Sequence, residues 1–433
     1  MCGILGSVNI PIDKEDLNLI SHRGPDSCGL ELFSSGTNEV FLGHRRLSIL
    51  DLSEAGHQPM ISDCGDYCII FNGEIYNHEE LRTHLQNVKF RGHSDTETLL
   101  YYLKDRWVDG LCDLNGVFAF AFFDFKTNKA LIARDPHGVK PLYYIQQRNS
   151  FLFSSEIRAI EKFSEKKVSK ENLATLLKLR YNPSPYTLFE DVKKVRPGHN
   201  VLIDFSKPDI SIIHDSYVKN STEKYNGSFH SAVGDFSQEL EAAVNRQLMS
   251  DVEVGVLLSG GVDSAVVAAL AQKQLNYKMK AFTVGFKGQD ENNEIDDAAR
   301  TAELLGLDHH YVKIGFDDFI GTLAKCNSII EEPIATTSHI LMYFLSELAS
   351  QHVKVVLSGQ GADEPLGGYT RYQGEYLHHL LPKFLLKGGV SFLKLLAFKN
   401  ESLNRGISSL AEHDDVTRFI KAYSIFSNEE ILK

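Results

Sequence analysis

The spacing of apolar residues divides the chain into two halves of different texture. Up to about residue 206 the pattern is strand-like, with short apolar runs broken by turn residues. Val117–Asp124 (VFAFAFFD), a turn through Lys126–Lys129 and Ala130–Asp135 predict an antiparallel hairpin. Phe151–Phe153 and Val201–Phe205 predict further strands, the second introduced by Pro197-Gly198. Helical spacing is expected at Asn77–Leu85 and at Asp95–Trp107, where Leu99, Leu100 and Leu103 share a face. The polar, uneven stretch 207–228 reads as a linker between domains of residues 1–206 and 229–433.

Beyond the linker the period changes. A helical segment to Met249 leads to a strand at Val252–Leu258, a Gly-rich turn and an Ala-rich helix at Ala265–Lys273. Lys280–Phe286, His310–Ile314 and Lys354–Leu357 are short apolar runs separated by helical patterns. Strands alternating with helices predict a doubly wound parallel sheet covered on both faces, so the chain is expected to be a two-domain α/β protein. Ligands of such sheets bind beyond the carboxyl ends of the strands.

Composition narrows the function classes. A chain of 433 residues, 43% hydrophobic and 24% charged, is typical of globular proteins with more than one core. A net charge of −12 leaves no basic excess for a phosphate backbone, which argues against nucleic-acid binding. The six cysteines (2, 28, 64, 68, 112 and 326) form no CxxC pair, as expected in a reducing compartment. The first residues lack a basic segment, and Pro11 and Asp13 interrupt their apolar run. Phe384–Phe398 carries Lys387 and Lys394 and is too short to span a bilayer. A cytoplasmic protein without a membrane partner is therefore expected.

Several short stretches carry chemistry. If Met1 is removed, Cys2 holds a thiol and a free α-amine on one carbon skeleton. With the amine near ~8 and the thiol near ~8.5, proton transfer between them is almost balanced. In FNGEIYNH (Phe71–His78), Asn72-Gly73 can aim a side-chain amide and a backbone N–H at one oxyanion, although the pair also suits a tight hairpin turn. Arg46 in GHRRLSILD (Gly43–Asp51) can clamp a carboxylate, and Asp95 in SDTE (Ser94–Glu97) an ammonium; a surface ion pair or a helix cap are the plainer alternatives. In the second half SGGVDS (Ser259–Ser264) follows a strand directly. Gly260 and Gly261 let the backbone turn its N–H groups towards an anion, and Asp263 can bring Mg²⁺ to phosphates. SGQGADE (Ser358–Glu364) is a second such turn, with Asp363 in the same place. His309-His310 lacks a third ligand at suitable spacing and is expected to be structural.

Taken together, MCGI, HRGPDS (His22–Ser27), GHRRLSILD, FNGEIYNH, SDTE, RDPHGVKPLYY (Arg134–Tyr144) and SSEIRAI (Ser154–Ile160) follow the order seen in class II glutamine amidotransferases. With SGGVDS, TVGF (Thr283–Phe286) and LSGQGADE, the chain resembles the glutamine-dependent asparagine synthetase family over residues 1 to about 373. The resemblance implies an N-terminal-nucleophile αββα sandwich joined to an adenine-nucleotide α-hydrolase-like domain. It implies Cys2 as nucleophile and Asn72 and Gly73 as oxyanion hole. Arg46, Leu47, Ser48, Ile49, Leu50, Asn72, Gly73, Glu74 and Asp95 would hold glutamine. Leu258, Ser259, Gly260, Gly261, Asp263, Ser264, Val284, Ser358 and Gly359 would hold ATP, with Asp263 and Asp363 on Mg²⁺ and Gln360 beside the intermediate. The implied reaction passes ammonia from glutamine to an acyl-adenylate made from ATP and a carboxylate, aspartate first, giving asparagine, AMP and pyrophosphate. A homodimer is left open. A sugar uronic acid as acceptor, or a glutaminase-only regulatory protein, are the alternatives.

Three features depart from the family pattern. Gln360 stands where Glu is usual, and an amide cannot act as a general base. No arginine lies between Arg300 and Arg371, although Thr336-Thr337 resembles the aspartate-binding stretch. The chain ends at Lys433, before the family's Ser-Met-Ala and Pro-Phe-Leu-Asp signatures, so the second domain is expected to be C-terminally incomplete.

Overall fold

The computed structural model describes residues 1–369 apart from 208, 220–222, 289–293 and 334–335, together with 414–424 and single positions from 372 onward. Phe384–Phe398 and Arg371 lie outside the described residues. In chain order the first half contains β1 (Gly3–Val8), α1 (Lys14–Asn18), β2 (Ser27–Ser35), β3 (Asn38–Arg46), β4 (Met60–Ile61), β5 (Tyr67–Ile75), α2 (His78–Thr83) and α3 (Asp95–Arg106). It continues with β6 (Gly116–Asp124), β7 (Lys129–Arg134), β8 (Tyr143–Gln147), β9 (Ser150–Ser154), α4 (Lys170–Leu179), β10 (Val192–Lys194), β11 (His199–Asp204) and β12 (Ser211–Ser216).

These strands make two six-stranded sheets, β10-β8-β9-β1-β3-β2 and β12-β11-β7-β6-β5-β4. Every pairing in them is antiparallel. Alternation along β6 shows how one run serves two layers. Ala119, Ala121 and Phe123 face inward with Ile4, Ile70 and Phe153. Phe118, Phe120 and Phe122 face outward beneath Leu81, Leu99 and Leu103 of α2 and α3. The outer face of the first sheet is covered by Leu17 of α1 and by Ile157 and Ile160. The result is an αββα sandwich. The expected linker is corrected in part. β12, inside 207–228, pairs with β11 from Asp204↔Ser211 to His199↔Ser216. Most of its side chains face water, which is why its composition reads as a connector.

The second half contains α5 (Phe229–Gln247), β13 (Val254–Leu257), α6 (Val262–Gln274), β14 (Lys280–Phe286), α7 (Glu294–Leu305), β15 (Asp308–Ile314), α8 (Phe316–Ile330), α9 (Ser338–Ser350) and β16 (Val355–Ser358). The parallel sheet runs β15-β14-β13-β16. One face packs Val256 and Leu258 against Val244, Ala268, Ala271, Ala298 and Ala302. The other packs Phe282 against Leu345 and Ala349 of α9. Strand order reverses between β13 and β16, and both Gly-rich turns leave the sheet at that point. His309 and His310 are structural, on Thr283 Oγ1 at 2.8 Å and Asp308 at 3.0 Å. No helix among the described residues is long and apolar enough to cross a membrane.

The halves are joined by directed polar contacts. Glu331, the C-cap of α8, accepts from the backbone N–H groups of Ile157 (2.9 Å) and Arg158 (2.6 Å). Glu332 accepts from Asn182 Nδ2 and pairs with Lys194 at 3.2 Å.

The layer assignment has a direct check. Phe123 is sealed between the sheets, whereas Ile213 on β12 is 57% exposed. Phe123→Ala should cost about 3–5 kcal/mol and Ile213→Ala no more than about 0.5 kcal/mol, read from denaturant midpoints. Equal midpoints for the two variants would contradict it.

Candidate active site

β1 is flanked by β3 and β9, and the register Gly3↔Arg45 sets Cys2 beside the end of β3. There the Leu47 N–H donates to the Cys2 Sγ at 3.4 Å. The Cys2 carbonyl accepts from Arg23 Nε at 2.9 Å, and Arg23 is held in turn by Glu156 at 2.9 Å. Glu156 also pairs with Arg158 at 2.9 Å, and Arg158 with Glu331 at 2.9 Å, so a chain of charges runs from beside Cys2 to the second half. Burial pushes the thiol up, opposed by the Leu47 N–H and the N-terminal amine; Glu74 and Arg46 are also close enough to act on it. Burial likewise pushes the N-terminal amine of Met1 down to about 6.

Asn72 and Gly73 lie within β5, not in a hairpin turn. Asn72 is 1% exposed, yet neither its Nδ2 nor its Oδ1 has a partner. An orphaned buried amide is costly, and both of its polar atoms are open to a ligand. The Gly73 N–H is available too. Its opposite residue, Phe118, spends its N–H and carbonyl on Asp135, so Gly73 turns its own N–H to the outer edge of β5. On that edge the N–H of Phe71 donates to Gln58 Oε1 (2.7 Å) and that of Ile75 to Asp95 Oδ2 (2.9 Å), with Gly73 between them. His44 Nε2, 3.0 Å from the Phe71 carbonyl, ties β3 to β5 beside this position.

Glu74 and Asp95 form a carboxyl pair in the same region. Burial, then the neighbouring Asp95, pushes Glu74 well above its ordinary range. Burial pushes Asp95 up to about 6 against the backbone N–H groups it accepts from. Asp95 is not the cap of α3; Ser94 is, accepting from the Glu97 N–H. Arg46 does not present a free fork. Its guanidinium is spent on the carbonyls of Ser53 (2.9 Å), Leu50 (3.4 Å) and Asp51, so it braces the loop that carries Leu47, Ser48, Ile49 and Leu50. Sequence reasoning passed over Lys140, which lies close enough to Glu74 and Cys2 for both to act on its charge. Its loop is pinned by the buried Asp135, which accepts from Val139 N (2.9 Å) and Lys140 N (3.0 Å).

At the switch point of the parallel sheet, a cavity of about 230 Å³ is lined by Leu258, Ser259, Gly261, Asp263, Ser264, Val284, Ser358, Gly359, Gln360 and Asp363. Thr283, Glu294 and Met342 join them from neighbouring elements. Gly260 is not in the lining; an added β-carbon there would meet Asp297 at 3.0 Å. Gly359 is fixed by close approach, because a β-carbon would lie 2.5 Å from Ser264 N. The two turns therefore touch through backbone. Gly261 caps α6 without a side-chain acceptor, which leaves the N–H groups of its first turn for an anion. Asp263 and Asp363 face the same cavity, and among the described residues no group of three or more His, Cys, Asp or Glu could enclose a metal. Two carboxylates without further protein ligands suit Mg²⁺, which keeps water and phosphate oxygens around itself. Thr336 and Thr337 sit at the start of α9 and do not line the cavity.

Known proteins share both halves. The family described as glutamine amidotransferase domain matches residues 1–217, and that described as asparagine synthase matches 235–423. Asparagine synthetase [glutamine-hydrolyzing] 1 of Bacillus subtilis is 36% identical over 386 residues, covering 86% of this chain and 60% of that protein. The chain thus spans 60% of the length of this relative. A candidate asparagine synthetase [glutamine-hydrolyzing] 2 of Methanocaldococcus jannaschii is 33% identical over 414 residues, covering 89% of this chain and 79% of that one. Among solved structures, the glutamine phosphoribosylpyrophosphate amidotransferase of Bacillus subtilis covers 72% of this chain and 65% of its own at 16% identity, with a TM-score of 0.37, too low to bear on the fold. The tandem of domain families and the identity to the archaeal relative lead to one conclusion: the chain belongs to the glutamine-hydrolysing asparagine synthetase family.

Proposed function

We propose that the chain hydrolyses glutamine at Cys2 and delivers the ammonia to an acyl-adenylate formed from ATP and aspartate, yielding asparagine, AMP and pyrophosphate. The orphaned amide of Asn72, two residues along β5 from a Glu74 close enough to act on the Cys2 thiol, carries this reading. Once Met1 is removed, the Cys2 amine takes the thiol proton and the sulfur attacks the amide carbon of glutamine. The Asn72 amide and the Gly73 N–H receive the oxyanion; as it collapses to the thioester, the Cys2 ammonium returns its proton to the leaving nitrogen, which departs as ammonia. Water then attacks the thioester and frees glutamate. The carboxyl pair Glu74–Asp95 receives the α-ammonium of glutamine, and the loop braced by Arg46 closes around its backbone.

In the second half the free N–H groups of α6 and the turn at Gly359 hold the phosphates of ATP, while Leu258 and Val284 border the nucleoside. Asp263 and Asp363 would hold Mg²⁺, which when bound would neutralise charge on the pyrophosphate leaving group. Gln360 lies on this cavity and can donate or accept a hydrogen bond without moving a proton. A neutral amide there also favours a second reading, in which the acceptor is a carboxylate other than aspartate. Pyrophosphate release with ATP and ammonia across a panel of carboxylates separates the two.

Cys2→Ala should abolish glutamine hydrolysis and leave ammonia-dependent pyrophosphate release intact, as should retention of Met1; surviving glutaminase activity in a Met1-retaining protein would overturn the mechanism. Gly359→Ala forces a β-carbon onto the Ser264 backbone. It should lower pyrophosphate release by about tenfold or more, as should Asp263→Asn, with glutamine hydrolysis nearly unchanged. Parallel loss of both activities would contradict two separate sites. The raised carboxyls set a pH dependence. An ammonium favours the ionised form of Asp95, whose free value is about 6, so glutamine affinity is present above that value and lost as pH falls through it. The KM for glutamine should therefore drop as pH rises through about 6, and a KM independent of pH between about 5 and 8 would remove the pair from substrate binding.

A further inference from the structure

The loop that borders Cys2 is held from outside its own domain. Asp251, between α5 and β13, makes a two-way contact with it. Its N–H donates to the Ile49 carbonyl at 3.0 Å, and its carboxylate accepts from the Asp51 N–H at 2.7 Å. The same Oδ2 lies 2.7 Å from His93 Nε2. His93 closes the circuit, because its own N–H donates to Asp51 Oδ2 at 2.9 Å. Asp51 sits at φ +55°, a left-handed conformation that a non-glycine residue holds only when its partners over-determine it. Two segments that face glutamine therefore converge on one carboxylate of the other half: the loop ending at Asp51, and the turn that enters α3 at Asp95. A neighbouring contact reinforces the same loop, as Lys354 before β16 reaches Asp26 at 2.6 Å and Asp26 accepts from Ser48 N at 2.8 Å.

We propose that Asp251 is a positioning residue for the glutamine site, supplied by the ATP-binding half, which sets the loop Leu47–Asp51 and the start of α3 at their working separation. Asp251 leads straight into β13 and thence to the turn at Ser259, so the strand that presents the nucleotide turn also ends on the glutamine loop. The proposal rests on the glutaminase reading above.

The test uses the full chain with Asp251→Ala, Asp251→Asn and His93→Asn, and the double variant Asp251→Ala/His93→Asn. Asp251→Ala should raise the KM for glutamine by about tenfold or more with a smaller change in kcat, the scale of losing a hydrogen bond to a charged acceptor. Asp251→Asn should lose less, because its amide oxygen still accepts from the Asp51 N–H. The double variant should be no worse than Asp251→Ala, since both act through one contact. Hydrogen exchange reads the loop without turnover: Asp251→Ala should speed exchange at the amides of 47–51 and 93–95, with the amides of β1 unchanged. A KM within twofold of the parent, or unaltered exchange across 47–51, would overturn the proposal. If the parent chain does not turn over glutamine, the glutaminase reading fails, while the exchange result still decides the role of Asp251.

Discussion

The placement of one buried strand controls the first half of this molecule. β1 is paired on both sides, with Gly3↔Arg45 towards β3 and Leu5↔Ser154 towards β9, and every residue in it is buried. A strand pinned on both edges cannot slip without turning its core face outward. Cys2, the residue immediately before it, inherits that precision at no further cost. Its thiol meets the Leu47 N–H, and its carbonyl is fixed by Arg23, because the β1–β3 register leaves no other choice. A thiol placed this way needs no loop of its own to aim it.

The second half solves a different problem with the same economy. A parallel sheet whose order reverses between β13 and β16 opens a crevice at their carboxyl ends. Residues Leu257↔Ser358 are paired neighbours, so the turns that follow both strands must share that space. Gly359 allows them to touch through backbone, and the uncapped start of α6 turns the crevice towards anions. The charge chain Arg23–Glu156–Arg158–Glu331 and the contacts of Asp251 tie the two halves together.

Much of this was legible along the chain. The run VFAFAFFD and its turn predict the β6–β7 hairpin, and the change of period marks the parallel sheet. The short stretches around Cys2, Asn72 and Ser259 mark candidate sites because each is a local arrangement of residues. What was not legible depends on distant partners. β12 reads as a linker because an edge strand with wet side chains has no apolar signature. Arg46 reads as a carboxylate clamp until the carbonyls of Ser53 and Asp51 are seen to occupy it. Gly260 belongs to the turn by pattern but faces α7 rather than the cavity. Arg23, Glu156 and Lys140 lie inside motif stretches without a role that the stretch itself reveals, and Asp251 lies in none. Their roles exist only once residues far apart in the chain are brought together.

The central claim is that Cys2 is the nucleophile of an N-terminal-nucleophile site, and covalent trapping tests it most directly. The full chain is incubated with a glutamine analogue that carries an electrophilic carbon in place of the amide, and its peptides are mapped by mass spectrometry. The account predicts one adduct, on the sulfur of a Cys2 that has lost Met1, and protection of that adduct by glutamine. Labelling spread over the exposed thiols of Cys28, Cys64 and Cys112, or no adduct at Cys2, would contradict it.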